Sequence, residues 1–179
     1  MSEQPLPSFS AQDEAYMRRA MELAEHAESE GEVPIGALLV KDDQIIAEGW
    51  NQSISTHDAS AHAEMQVLRK AGQVLQNYRL LDTTLYVTLE PCPMCAGALL
   101  HSRVKRVVYG ASDPKAGAAG SVLNLFESQA SYHYAEVESG LCEQACREQL
   151  QAFFKRRRKE KKALKQASKL ELDQNNRSV

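Results

Sequence analysis

The segment Cys92 to Cys95 is a Cys-Pro-Met-Cys turn with one proline before and one after its first cysteine. Apolar residues 84–88 before the turn predict a strand, and the small residues after it predict a helix. This order predicts a strand, a tight turn and a helix whose N-terminus lies beside both thiols. The helix dipole favours negatively charged sulfur there, so two thiolates at this spacing can share one metal ion. Two cysteines alone do not define a zinc site.

A third ligand is available thirty residues earlier, where His62 opens a His-Ala-Glu motif at the predicted start of another helix. His62, Cys92 and Cys95 would bind three positions of a tetrahedral zinc ion and leave the fourth to water, which distinguishes a catalytic zinc from a structural one. Glu64 can lie beside this water without binding the metal and can transfer its proton. The combined pattern H-x-E…P-C-x-x-C is the signature of zinc deaminases. A structural zinc knuckle is disfavoured because no fourth Cys or His has a matching spacing.

Hydrophobic periodicity predicts a three-layer α/β domain. Ser10 and Asp13 form the pattern of a capping box that begins a helix ending at Gly31, and the turn 41–44 joins two strands into a hairpin. The predicted strands are 33–40, 45–50, 84–88, 106–110 and 134–138. The predicted helices after the first are 61–75, 93–101, a short piece at 122–126, and a long helix from residue 141.

Charge divides the 179 residues unevenly, although the net charge is only −3. Residues 155–169 hold nine basic side chains and one acidic one, a net +8, which indicates a polyanionic partner or a solvated tail. We therefore predict a flexible N-terminus (1–9), one domain (10–158) and a basic, frayed tail (159–179). The N-terminus lacks the pattern of a secretory signal and no apolar run approaches the roughly 20 residues of a membrane span. Four cysteines in such a chain predict a reduced, cytoplasmic protein.

Beyond these motifs, long stretches resemble the family of bacterial tRNA-specific adenosine deaminases, in the cytidine and deoxycytidylate deaminase superfamily. They are GEVPIGALLV (31–40), GWN (49–51), HAE (62–64), NYRLLDTTLYVTLEPCPMCAGALLHSRV (77–104) and YGASDPKAGAAGS (109–121). The resemblance implies a cytidine-deaminase-like α/β/α fold with a mixed five-stranded sheet flanked by helices. It also implies a homodimer with one Zn²⁺ per subunit. The implied substrate is a tRNA anticodon stem-loop, not DNA, in which adenosine at the first anticodon position becomes inosine through a zinc-activated water.

The same resemblance assigns individual residues of this sequence. His62, Cys92 and Cys95 match the zinc ligands and Glu64 the proton shuttle. The residues implied to contact substrate are Asn51 and the backbone of Ala63, at the flipped base, and Asp113, near the sugar of the preceding nucleotide. The loop after Asp113 departs from the family, which more often has Ala before Lys115 and Thr after it. Phe154 is predicted at the substrate edge, because aromatic side chains stack on unpaired bases and Phe153 continues the apolar stripe of the last helix instead.

Two other functions remain open from the residues themselves. A deaminase of a free base or nucleotide, of the guanine or cytosine type, would share the chemistry at the metal. A catalytically silent RNA-binding module would keep only a structural zinc, but such a site has no use for Glu64. The length of the resemblance outside the zinc motif and the basic segment 155–169 favour tRNA. Cys142 and Cys146, four residues apart, are predicted to be buried thiols, not a second metal site.

Overall fold

The computed structural model describes residues 9–128 and 133–175 of the chain. Most of residues 1–9, predicted to be flexible, therefore lie outside the described residues. The elements in chain order are α1 (Ala11–Ser29), β1 (Gly36–Lys41), β2 (Gln44–Trp50), α2 (Ala63–Leu75), β3 (Thr84–Leu89), α3 (Pro93–His101), β4 (Arg106–Ala111), β5 (Glu136–Ser139) and α4 (Glu143–Asn175). The predicted capping box is present at the start of α1, where Ser10 and Asp13 exchange hydrogen bonds.

The strands form one mixed sheet in the order β2-β1-β3-β4-β5. β1 is antiparallel to both β2 and β3, whereas β3, β4 and β5 run parallel. The β1–β2 hairpin turns at Asp42 and Asp43, with φ angles of 49° and 57°. Two successive residues with positive φ match the right-handed twist of the flanking strands, which makes this a favoured hairpin turn. The parallel half of the sheet needs crossovers, which α3 and the segment after β4 provide.

Alternating side chains of the strands build a hydrophobic core on each face of the sheet. On one face, Leu39 and Val87 pack in a cluster with residues of α2 and α3. On the other face, Leu38 and Tyr86 pack with Met17 of α1 and Cys146 of α4. The central strands β1, β3 and β4 are therefore buried from both sides. The edge strands β2 and β5 are partly exposed. The predicted three-layer α/β/α class with a mixed five-stranded sheet is confirmed.

Several predicted boundaries are wrong. The helix predicted at 122–126 does not form, and this segment makes a turn closed by a bridge between Ala119 and Asn124. β1 begins at Gly36 instead of 33, because Pro34 has no N–H to give to a neighbouring strand. β5 begins at Glu136, two residues later than predicted. α4 continues through residue 158 to Asn175, and the predicted division of the chain at that residue stays a prediction.

The two loops and the Cys-Pro-Met-Cys turn that carry the predicted site residues lie at one edge of the sheet. β2, β3 and β4 all end there and lead into the loop 52–61, the Cys-Pro-Met-Cys turn and the loop 112–121, respectively. The carboxyl ends of such strands commonly form a binding crevice. α1 ends at the same edge, because β1 begins there with Gly36, whose N–H donates to the Thr88 hydroxyl. None of the helices in the described chain is long and apolar enough to cross a membrane.

Candidate active site

The three predicted metal ligands lie at the N-termini of two helices. His62 is the N-cap of α2 and Cys92 is the N-cap of α3, and both have extended backbone conformations. Neither side chain caps its own helix, so the imidazole and the thiol are free to face each other. Pro93 occupies the first helical position of α3, where a missing N–H costs nothing, and Cys95 follows in the first turn. The two helix starts therefore converge on one point.

The distances fit a tetrahedral zinc ion. The Nδ1 atom of His62 lies 3.6 Å from the sulfur of Cys92 and 3.6 Å from that of Cys95. The three ligand atoms all lie within 4.8 Å of one another. Zn–S bonds of about 2.3 Å and a Zn–N bond of about 2.05 Å at a tetrahedral angle place sulfur and nitrogen about 3.6 Å apart. This His-Cys-Cys cluster can bind zinc through Nδ1 and two thiolates.

Electrostatics inside the cluster already favour a thiolate. The hydrogen bond from the Cys95 thiol, with a further contribution from His62, lowers the pKa of Cys92 to about 4. The hydrogen bond to Cys92 and burial raise the pKa of Cys95. The hydrogen bond with Cys92 also raises the pKa of His62. A divalent cation would take the place of the protons on these ligand atoms, as metal binding to thiols generally releases them.

Glu64, the second residue of α2, is almost fully buried beside the cluster, with 4% of its surface exposed. Burial raises the pKa of its carboxyl group to about 7. The side chain lies within interaction distance of Cys95, which places it next to the metal-binding atoms. A carboxyl group with a pKa near neutrality can both accept and donate a proton, which suits a general acid and base.

Asn51 joins the end of β2 to the start of α2. Its side-chain oxygen accepts a hydrogen bond of 2.9 Å from the backbone N–H of Ala63, and the residue is 6% exposed. This bond orients the amide so that its nitrogen keeps two donors for another group. The structure thus brings Asn51 and Ala63 together with His62, but it engages the Ala63 N–H internally. The contact of the Ala63 backbone with a base stays a prediction.

Asp113 lies on the loop 112–121, the other side of the site. One oxygen of its carboxylate accepts hydrogen bonds from the backbone N–H groups of Lys115 and Ala116, at 2.9 and 3.3 Å. These bonds fold the loop back on itself and keep the half-buried carboxylate at the rim. Its approach to a substrate sugar stays a prediction.

Phe154 lies on α4, on the opposite side of the sheet from α2 and α3, and does not join the metal cluster. It is 42% exposed, whereas Phe153 is 3% exposed, and the two rings meet edge to face at 5.3 Å. The predicted burial of Phe153 is confirmed. Arg156, one turn on, pairs with Glu28 in the last turn of α1, so this part of α4 reaches the sheet edge that carries the cluster. Cys146 is buried as predicted, and Cys142 is partly buried just before α4.

Two buried carboxylates beside the site were missed by sequence reasoning. Glu90 accepts hydrogen bonds from the loop 112–121, and Glu32 accepts them from the loop 52–61. They are 2% and 1% exposed, respectively. The only local signal was the position of Glu90 directly before the Pro-Cys turn, at the end of an apolar strand. No local pattern indicated Glu32.

Sequence comparison places this site among known enzymes. The profile of the cytidine and deoxycytidylate deaminase zinc-binding region matches residues 10–111. The tRNA-specific adenosine deaminase of Haemophilus influenzae is 56% identical over 151 residues, covering 84% of this chain and 87% of that protein. The tRNA-specific adenosine deaminase of Bacillus subtilis is 51% identical over 152 residues, covering 85% and 94%.

Solved structures with the same fold are also similar. One, from a study of A-to-I editing by tRNA:A34 deaminases at the wobble position, matches with a TM-score of 0.74 and 43% identity, over 75% of this chain and 98% of the other. A guanine deaminase from Bacillus subtilis matches with a TM-score of 0.53 and 35% identity, over 65% and 85% of the two chains. Both comparisons agree on a deaminase, and they differ in the base that the related protein acts on.

Proposed function

This chain belongs to the tRNA-specific adenosine deaminase family, and on that premise we propose that it converts adenosine to inosine at the first anticodon position of a tRNA. The observation that carries the proposal is the buried Glu64 beside an open His-Cys-Cys cluster, in a chain 56% identical to a tRNA-specific adenosine deaminase. A structural metal site would have no use for a buried carboxylate of this kind.

The residues of the cluster divide the chemistry between them. When bound by His62, Cys92 and Cys95, a zinc ion supplies a water molecule whose pKa lies near neutrality. Glu64 would take one proton from the attacking water and deliver it to N1 of adenine as the water oxygen bonds to C6. Glu64 would then carry the remaining hydroxyl proton from that oxygen to the amino group on C6, whose C–N bond breaks to release ammonia. The raised pKa of Glu64 supports both transfers, since neither protonation state is strongly favoured near pH 7.

Binding of the base is the role we propose for Asn51, whose amide nitrogen can donate to a ring nitrogen acceptor. The target base must leave its stack to reach the buried Glu64, and an unpaired anticodon-loop base costs less to extrude than a paired one. Asp113 on the opposite loop would contact the sugar of the preceding nucleotide, and Phe154 would stack beyond it. These contacts would select a looped RNA over a free base.

The basic part of α4 supports a polyanionic substrate. Five cations follow one another at alternating spacings of three and four, so they lie along one face of the helix: Lys155, Arg158, Lys162, Lys165 and Lys169. We call this row the basic stripe. At 1.5 Å per residue it is about 21 Å long. All five side chains are exposed. Because Arg156, within the first turn of the stripe, pairs with Glu28 in the last turn of α1, the stripe begins where RNA would approach.

The basic stripe gives a salt-dependent prediction. The triple variant Arg158→Gln/Lys162→Gln/Lys165→Gln should bind the anticodon stem-loop about 10-fold more weakly in moderate salt and reduce the slope of log Kd against log salt by about 2. A matched control removes three cations far from the site, Arg18→Gln/Lys41→Gln/Lys105→Gln. Fluorescence anisotropy at several salt concentrations measures both. Equal effects of the two triples would mean that only net charge matters.

Product analysis tests the proposed reaction directly. Purified, zinc-loaded protein is incubated with an anticodon stem-loop that carries A at its first anticodon position, with the same stem-loop carrying that A one position later, and with free guanine and cytidine. We expect inosine in the first substrate only. Formation of xanthine or uridine without inosine would instead establish the free-base or nucleoside alternative, which the likeness to guanine deaminase supports.

We also propose that the chain forms a homodimer, as its family resemblance implies. Sedimentation equilibrium should give twice the 19.9 kDa of a single chain. A mass equal to one chain at micromolar concentration would contradict the dimer and leave the proposed reaction unaffected.

A further inference from the structure

The loops 52–61 and 112–121 form the two sides of the site, but neither belongs to the sheet or to a helix. The first connects Asn51 to His62, and the second carries Asp113. Loops without regular hydrogen-bond partners are ordinarily mobile, and RNA that binds mobile loops must supply the free energy that orders them. In this structure a buried carboxylate of the protein itself binds each loop and can order it without RNA.

Glu90 binds both ends of the loop 112–121. One carboxylate oxygen accepts the backbone N–H groups of Ala119 and Ser121, each at 3.0 Å. The other accepts the backbone N–H of Asp113 at 2.9 Å and the hydroxyl of Ser121. The backbone N–H of Glu90 itself donates to the carbonyl of Ala111, at the end of β4, at 2.8 Å. A single buried side chain therefore satisfies donors on both sides of the loop.

Gly117 lets the middle of this loop close over the same carboxylate. A Cβ atom at that position would lie 2.3 Å from the carboxylate carbon of Glu90 and 2.6 Å from the carbonyl oxygen of Asp113. Both are far inside van der Waals contact, so even alanine would displace the loop or the carboxylate. The loop is thus shaped around Glu90 and is not merely adjacent to it.

Glu32 has the corresponding position under the loop 52–61. Its two carboxylate oxygens accept the backbone N–H groups of Ser55 at 2.7 Å and Ile54 at 3.1 Å. The residue lies three positions after the last residue of α1, and its own backbone N–H donates to the carbonyl of Ala27 in that helix. Its carboxylate therefore ties the loop between Asn51 and His62 to a rigid element.

We propose that Glu32 and Glu90 are positioning residues that hold the two loops in their RNA-binding form before the substrate arrives. The inference rests on the proposed function, because it assigns the loops to the RNA substrate of the same site. The carboxylate oxygens of both residues accept hydrogen bonds from the loops and not from the metal-binding side chains. Their contribution is therefore to substrate binding, through loops that need no further ordering.

Conversion of either glutamate to glutamine removes this function with little change in shape. An amide keeps one acceptor oxygen but turns the other into a donor, which then faces a backbone N–H. A buried donor left without an acceptor is unfavourable enough to open the loop instead. Ser121→Ala and Gly117→Ala disturb the same contacts without changing either carboxylate, so they separate loop positioning from an effect on the zinc turn beside Glu90.

Steady-state kinetics on the anticodon stem-loop, with zinc content measured on every variant, tests the proposal. Glu32→Gln, Glu90→Gln and Gly117→Ala should raise KM about 10-fold, leave kcat within about 3-fold and keep one zinc per chain; Ser121→Ala should raise KM less. Asp13→Asn is the matched control, because Asp13 is a buried carboxylate bound to Tyr86 and Arg106 at the opposite edge of the sheet. It should lower the melting temperature and leave KM unchanged.

Amide hydrogen exchange keeps the test independent of the reaction. In Glu90→Gln the amides of Asp113, Ala119 and Ser121 should exchange at least about 10-fold faster, and in Glu32→Gln those of Ile54 and Ser55, whether or not RNA is the substrate. Unchanged exchange, or a loss of kcat and zinc with unchanged KM, would overturn the positioning role. Faster exchange in a protein that makes no inosine would support the positioning role of Glu32 and Glu90 and contradict only the proposed function.

Discussion

Glu64→Gln should lower kcat on the stem-loop by at least about 10³-fold while the protein keeps one zinc per chain. The size follows from the role of the side chain, because general acid and base catalysis contributes about 10² to 10⁴ and Glu64 would carry two protons in each turnover. Glutamine has the same shape but holds no exchangeable acid proton. Since Glu64 is not among the three ligand residues, the metal should remain bound.

The measurement combines single-turnover kinetics with zinc analysis by mass spectrometry. Glu14→Gln, at a partly exposed carboxylate in the first turn of α1, serves as the control with the same chemical change, and it should retain full activity. A Glu64→Gln protein that loses its zinc would show that the carboxylate holds the metal site together. One that stays active would remove Glu64 from the proton transfers.

The His-Cys-Cys cluster was predictable from sequence because each of its residues stands in a local pattern. His62 precedes an amphipathic helix, and the Pro-Cys pair follows an apolar strand, so each lies at a helix N-terminus that periodicity can locate. The spacing of thirty residues between His62 and Cys92 does not by itself determine how far apart the two side chains lie in the fold. Their convergence depends on α2 and α3 packing on the same face of the sheet, which the alternation of helices and strands did not specify.

The loop 112–121 and its continuation could not be predicted in the same way. Val122 and Phe126 have helical spacing, but the segment forms a turn because its preceding donors bond to Glu90, thirty-one residues before Ser121. Gly120, two residues before the predicted helix 122–126, has a φ of 132°, which is not a helical conformation. The positioning residues Glu32 and Glu90 could not be predicted for the same physical reason, because their hydrogen-bond partners lie more than twenty residues away along the chain.

Cys92→Ala should remove zinc from the protein and lower activity on the stem-loop below detection. Two remaining ligands, His62 and Cys95, hold a zinc ion far more weakly than three, and Cys92 is the thiol whose lowered pKa makes it a ready thiolate. Without the metal, no water of near-neutral pKa is available to react with the base. We expect less than about 0.1 zinc per chain after dialysis, against one for the unaltered protein.

Cys146→Ala is the matched control, because Cys146 is a buried thiol of α4 that packs against Gly110 of β4, away from the cluster. It should lose about 1 kcal/mol of stability from the small cavity and retain zinc and activity. If Cys92→Ala kept one zinc per chain, the metal would be bound elsewhere. If both cysteine variants lost zinc alike, the loss would reflect general unfolding and not a missing ligand, and circular dichroism would distinguish that case.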